Sequence, residues 1–158
     1  MVGPDLFAGN ATLNIKKPAG SVTEINASTG ALVRGLSGAR YQFREVGAIA
    51  VSGDDVFALN FLGRSLTEFR ASTGSVVRII AGASYGFSGM DAMAVSGQRL
   101  LVANLTTGIT VIDASTGALV GIDSSPQYGF DGPDAIAVSG HEVFVANSNG
   151  NSVTELPG

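Results

Sequence analysis

Apolar residues in this chain come in short runs, and small polar residues separate them. Glu142-Val-Phe-Val-Ala-Asn147, Asp134-Ala-Ile-Ala-Val138 and Ser152-Val-Thr-Glu-Leu156 are typical. Val, Ile, Leu, Phe and Thr dominate the runs, which suits pleated strands. Gly, Asn, Ser and Asp fill the gaps, at turn positions. No segment sustains a 3.6-residue period with caps, so no helix longer than a turn is expected.

The runs repeat. Ala-Ser-Thr-Gly recurs at 27–30, 71–74 and 114–117, in steps of 44 and 43 residues. Val-Ser-Gly recurs at 51–53, 95–97 and 138–140 with the same steps. Tyr41, Tyr85 and Tyr128 follow the same spacing, each with a phenylalanine two residues on: Phe43, Phe87 and Phe130. One period holds four strands. The first covers 47–51, 91–95 and 134–138; the second covers 55–60, 99–104 and 142–147. The third covers 21–25, 65–69, 108–112 and 152–156; the fourth covers 31–36, 75–80 and 118–122. Four strands in about 43 residues is the unit of a β-propeller blade. Small residues in the first strand suit the crowded inner edge. Continuous apolar runs in the second suit strands packed on both faces.

The chain is therefore expected to be all-β: a propeller segment of four-stranded antiparallel blades. It divides into a partial blade (1–38), two whole blades (39–82 and 83–125) and a partial blade (126–158). That is about three and a half blades. Residues 1–10 align with 51–60, so the first blade begins near its second strand, with a longer loop around 14–20. An open arc leaves two blade faces exposed. The expected remedy is a homodimer that completes an eight-bladed ring.

Val143-Phe-Val-Ala-Asn147 followed by Asn151-Ser-Val-Thr-Glu-Leu156 resembles the repeat of the YVTN-type β-propellers. The Asp113–Gly117 turn and the Asp134–Val138 strand resemble that family and the related NHL group. The resemblance covers nearly the whole chain. It implies a propeller of the kind found in cell-surface proteins, scaffolds, binding proteins and some lyases, and an exported parent.

Composition narrows the function. At 45% hydrophobic and 14% charged, the 158 residues are not those of a disordered chain. With no cysteine there is no disulfide framework, thiolate metal site or cysteine nucleophile. A net charge of −4 argues against a broad phosphate-binding surface, and hence against nucleic acid. No apolar run approaches the roughly 20 residues of a membrane helix, and Met1–Pro4 does not read as a signal peptide.

Candidate chemistry is sparse. His141 is the only histidine and reads as a turn residue. Asn147–Asn151 loosely resembles a loop of alternating oxygen ligands, but its equivalents at 60–64 and 104–108 lose the oxygens, so it reads as a hairpin turn. Asp131 with Asp134, and Asp54 with Asp55, read as turn chemistry rather than acid–base pairs. Glu24, Glu68 and Glu155 share one repeat position and are expected to face solvent. Lys16, Lys17, Arg34, Arg40 and Arg44 are expected to be solvated surface. The aromatics Tyr41, Phe43, Tyr85, Phe87, Tyr128 and Phe130 allow two readings: a glycan-binding ring on one rim, or packed corners that lock neighbouring blades. No catalytic residue, cofactor or metal is expected. The leading expectation is a non-enzymatic scaffold or binding module with a protein or glycan ligand. The alternative is a lyase or lactonase on the same fold.

Overall fold

A computed structural model describes residues 5–12 and 19–157. Fourteen strands form four antiparallel sheets. The first sheet is β1 (Asp5–Thr12), β2 (Ala19–Asn26) and β3 (Leu32–Leu36). The second is β4 (Val46–Ser52), β5 (Asp55–Asn60), β6 (Ser65–Arg70) and β7 (Val76–Ala81). The third is β8 (Met90–Ser96), β9 (Arg99–Asn104), β10 (Gly108–Asp113) and β11 (Leu119–Asp123). The fourth is β12 (Pro133–Ser139), β13 (Glu142–Asn147) and β14 (Ser152–Pro157). Each sheet is a meander, and successive sheets meet through β1, β4, β8 and β12, which lie side by side. This is a partial propeller, and the sheets are its blades.

Local chemistry sets the turns. Gly53, Gly97 and Gly140 all have positive φ between the first and second strands of their blades, a conformation that a side chain would strain. In the Ala-Ser-Thr-Gly turns, Thr29 and Thr73 accept a hydrogen bond from the backbone N–H two residues on. The pairing of the third and fourth strands bulges at one repeat position, at Glu24/Ile25, Glu68/Phe69 and Val111/Ile112. Single turns of 3-10 helix at Ala39–Tyr41, Ala83–Tyr85 and Pro126–Tyr128 carry the chain from one blade to the next.

The core lies between blades. Val22, Tyr41, Phe43, Val56 and Phe69 fill the first junction. Phe57, Leu59, Leu66, Met90, Leu100 and Ile112 fill the second, and Leu101, Ile109, Val143, Val145 and Leu156 the third. Every residue of β5 from Val56 to Asn60 is buried, because neighbours cover both faces. In β13 burial alternates, because only one face is covered.

Candidate functional site

The six rim aromatics are corner residues. Tyr41 and Phe43 are buried and stacked at 4.9 Å, and the Tyr41 hydroxyl donates to the Gly74 carbonyl of the next blade at 2.7 Å. Tyr85 stacks on the buried Phe87 at 5.3 Å and donates to the Gly117 carbonyl at 2.8 Å. Tyr128 and Phe130 lie 5.4 Å apart, half-buried against the third junction. The structure thus places all six at packed corners between blades. Two of the three tyrosine hydroxyls, those of Tyr41 and Tyr85, are bonded to turn carbonyls.

An asparagine clamp, unnoticed in the sequence, holds each corner. Asn60, Asn104 and Asn147 end the second strand of their blades and are buried. Each Oδ1 accepts a corner N–H, from Arg44, Ser88 and Asp131 respectively. Each Nδ2 donates to a threonine of the third strand: Thr67, Thr110 or Thr154. That threonine donates in turn to the carbonyl of Tyr41, Tyr85 or Tyr128. The Asn-to-Thr spacing of 6 or 7 residues was the available signal.

Glu24 and Glu68 do not face solvent. They are only 1% and 0% exposed, each against an arginine of the same blade. Arg34 Nε meets Glu24 Oε2 at 2.6 Å, and Arg78 Nε meets Glu68 Oε2 at 2.8 Å. Arg34 Nη2 also donates to the Ala71 and Ser72 carbonyls, and Arg78 Nη2 to the Ser115 carbonyl, across the junction. Burial pushes both carboxyls above their usual range, against the pull of the arginines. The third blade has Val111 opposite Gly121 in place of this latch. Glu155 stays exposed.

The other candidates are structural or isolated. Asp54 accepts the Ser72 N–H and hydroxyl, both at 2.8 Å, which lowers its pKa. Asp55 pairs with Arg70 at 2.6 Å. Arg40 donates to the Tyr41 hydroxyl, while Arg44 is exposed. Burial, and then the charge of Asp134 on the neighbouring inner strand, push the Asp91 carboxyl up. No group of three or more metal-ligating side chains occurs among the described residues. His141 is exposed in a turn, and Ser148–Asn151 form a hairpin turn. Lys16 and Lys17 lie outside the described residues.

Asp113 yields a pH prediction. Its Oδ1 accepts from the N–H and hydroxyl of both Ser115 and Thr116, which holds its pKa at about 2 against an ordinary 3.8. A depressed carboxylate stabilises the fold above its unfolded pKa, and the gain is lost as pH falls through the folded value. Thermal melts should therefore place D113A below the wild type at neutral pH. The gap should close between about pH 4 and pH 2. A gap that stays constant across that window contradicts the turn's role.

The two ends of the arc expose apolar side chains. On the first blade Leu6 is 59% exposed and Leu32 70%. Their repeat equivalents in the second blade are Val56, which is buried, and Val76, which packs on the first junction. On the last blade Val153 is 66% exposed, whereas its equivalent, Leu66, is buried. Both ends are thus junction halves without partners among the described residues. No helix there is long and apolar enough to cross a membrane.

No family model matches the chain, and no curated protein matches it in sequence. Solved structures do match in fold. The computationally designed Ika4 protein is 19% identical, with a TM-score of 0.65 over 89% of this chain and 86% of that one. Hydrazine synthase of Kuenenia stuttgartiensis is 18% identical, with a TM-score of 0.71 over 87% of this chain and 40% of its own. The WD40 repeats of RRP9 are 12% identical, with a TM-score of 0.64 over 94% and 50%. WD40 repeats form four-stranded propeller blades. These likenesses define the class, a β-propeller segment, at identities that carry fold alone. The chain spans half or less of the last two.

Proposed function

We propose that this chain is a non-enzymatic scaffold module, of YVTN- or NHL-like repeats, that pairs end to end with a second copy to close a propeller ring. The exposure of Leu6, Leu32 and Val153 carries the reading, because the same repeat positions are covered at the internal junctions. A second copy offers to each end the face that the repeat already packs there. Such a head-to-tail contact closes when its rotation completes a circle. The likeness in fold to the designed Ika4 protein, over 86% of that chain, supports a propeller arc of this size. Near-identical repeats around a ring would present rim loops in several copies.

The test uses charge on each end. L6E and V153E each place a carboxylate on a face the proposal buries. Each should convert a species of about 32 kDa, twice the 16.0 kDa chain, into one of about 16 kDa. Circular dichroism should remain that of the folded wild type, because both positions lie outside the internal junctions. If both variants keep the wild-type mass, the ends are not the contact.

A further inference from the structure

Four buried carboxylate oxygens lack a well-aligned hydrogen bond: Asp5 Oδ1, Glu24 Oε2, Asp55 Oδ1 and Glu68 Oε2. The last three lie against arginines, at 2.6, 2.6 and 2.8 Å. Asp5 has no cation among the described residues. The internal repeat shows what belongs there. Asp5 and Asp55 begin equivalent strands, and their cross-strand partners are Asn26 and Arg70. Arg70 reaches Asp55 Oδ1. Asn26 is shorter, and its Oδ1 is already committed to the turn, accepting from Ser28 N–H, Thr29 N–H and the Thr29 hydroxyl.

Asp5 lines a cleft of about 770 Å³ at the first junction. Asp5, Glu24, Asp54 and Arg34 supply its charges, and Phe7 and Val33 part of its apolar wall. Arg34 is already spent on Glu24 and two carbonyls. At the next junction the same positions hold Asp55, Glu68, Arg70 and Arg78, with Gln98 where Asp54 stands, and the charges balance. Among the described residues the first junction has three carboxylates and one arginine, and Asp5 lies close enough to Glu24 to raise its pKa. We propose that this cleft binds a guanidinium on a short aliphatic stem, seated where Arg70 sits one blade on. Its N–H groups would donate to Asp5 Oδ1, and its stem would lie on Phe7 and Val33. Guanidinium suits the position better than ammonium: it is weakly hydrated and donates as a planar fork to a carboxylate.

The test is calorimetric titration of the full chain with n-propylguanidinium chloride at constant ionic strength, with n-propylurea as the neutral isostere. The expected result is saturable one-to-one binding of the cation, and at least tenfold weaker binding of the urea. D5N should weaken the cation at least tenfold. N26R should supply the guanidinium internally and abolish binding, with a folded circular dichroism spectrum. Tighter binding of N-acetylarginine amide than of propylguanidinium would assign the site to an arginine side chain of a polypeptide; the reverse order would assign it to a free alkylguanidine. Equal binding of urea and cation, an unaffected D5N, or no saturation would overturn the proposal. None of these readouts depends on ring closure, so the two proposals can fail separately.

Discussion

R78A is expected to cost the fold about 3–5 kcal/mol, the range for breaking a buried ion pair from one side. Arg78 holds Glu68 through Nε at 2.8 Å and Nη2 at 3.2 Å, and reaches the Ser115 carbonyl of the next blade at 2.9 Å. Without it a fully buried carboxylate keeps its desolvation penalty and loses its counter-charge. Burial already raises the Glu68 pKa, and Arg78 is the strongest influence lowering it. The variant's carboxyl should therefore titrate higher still. A raised folded pKa makes protonation favour the folded state, so stability is lost as pH rises through it. The deficit of R78A in urea denaturation should shrink as pH falls towards the 4.5 of an ordinary glutamate. E68Q/R78A should recover part of the loss at neutral pH. A loss under 1 kcal/mol with no pH dependence would place the pair among exposed, nearly neutral salt bridges.

F69A is expected to cost a similar amount, about 3–5 kcal/mol, because a buried ring is deleted from a packed junction. Phe69 meets Phe7, Tyr41 and Phe43 edge-on, with centroids 6.0, 6.2 and 6.3 Å away. Folded domains have about 5–15 kcal/mol in total, so the melting temperature should fall by about 10 °C. The damage should also be local. Hydrogen exchange should accelerate most in β2 and β3, which rest on this junction, and least in β12–β14. Uniform acceleration across all four blades would show that the blades open as one unit and not junction by junction.

The strands were legible because β-structure here is short-range. Each run is bounded by turn residues whose backbone demands, such as the positive φ of Gly97, act within a few residues. The corners were half legible: their aromatics announce themselves, but which way a ring points depends on the blade beside it. Glu68 shows what the pattern hides. Its strand, Ser-Leu-Thr-Glu-Phe-Arg, alternates like one with a wet face, yet both faces are covered. The acid is tolerated because Arg78 stands opposite it on β7, a pairing set by a bulged register. Asn104 was missed for a similar reason. Its donor and acceptor partners come from a corner, its own strand and the neighbouring strand. The contrast between Asp5 and Asp55 emerges only when two blades are compared, since Asn26 is unremarkable until Arg70 is seen at the same position.

The central claim is that a second copy covers the two ends of the arc. Light scattering behind a sizing column, across a wide range of protein concentration, measures this directly. The account predicts one sharp species of about 32 kDa, twice the 16.0 kDa chain, that persists on dilution. A monodisperse species of about 16 kDa at every concentration would contradict it.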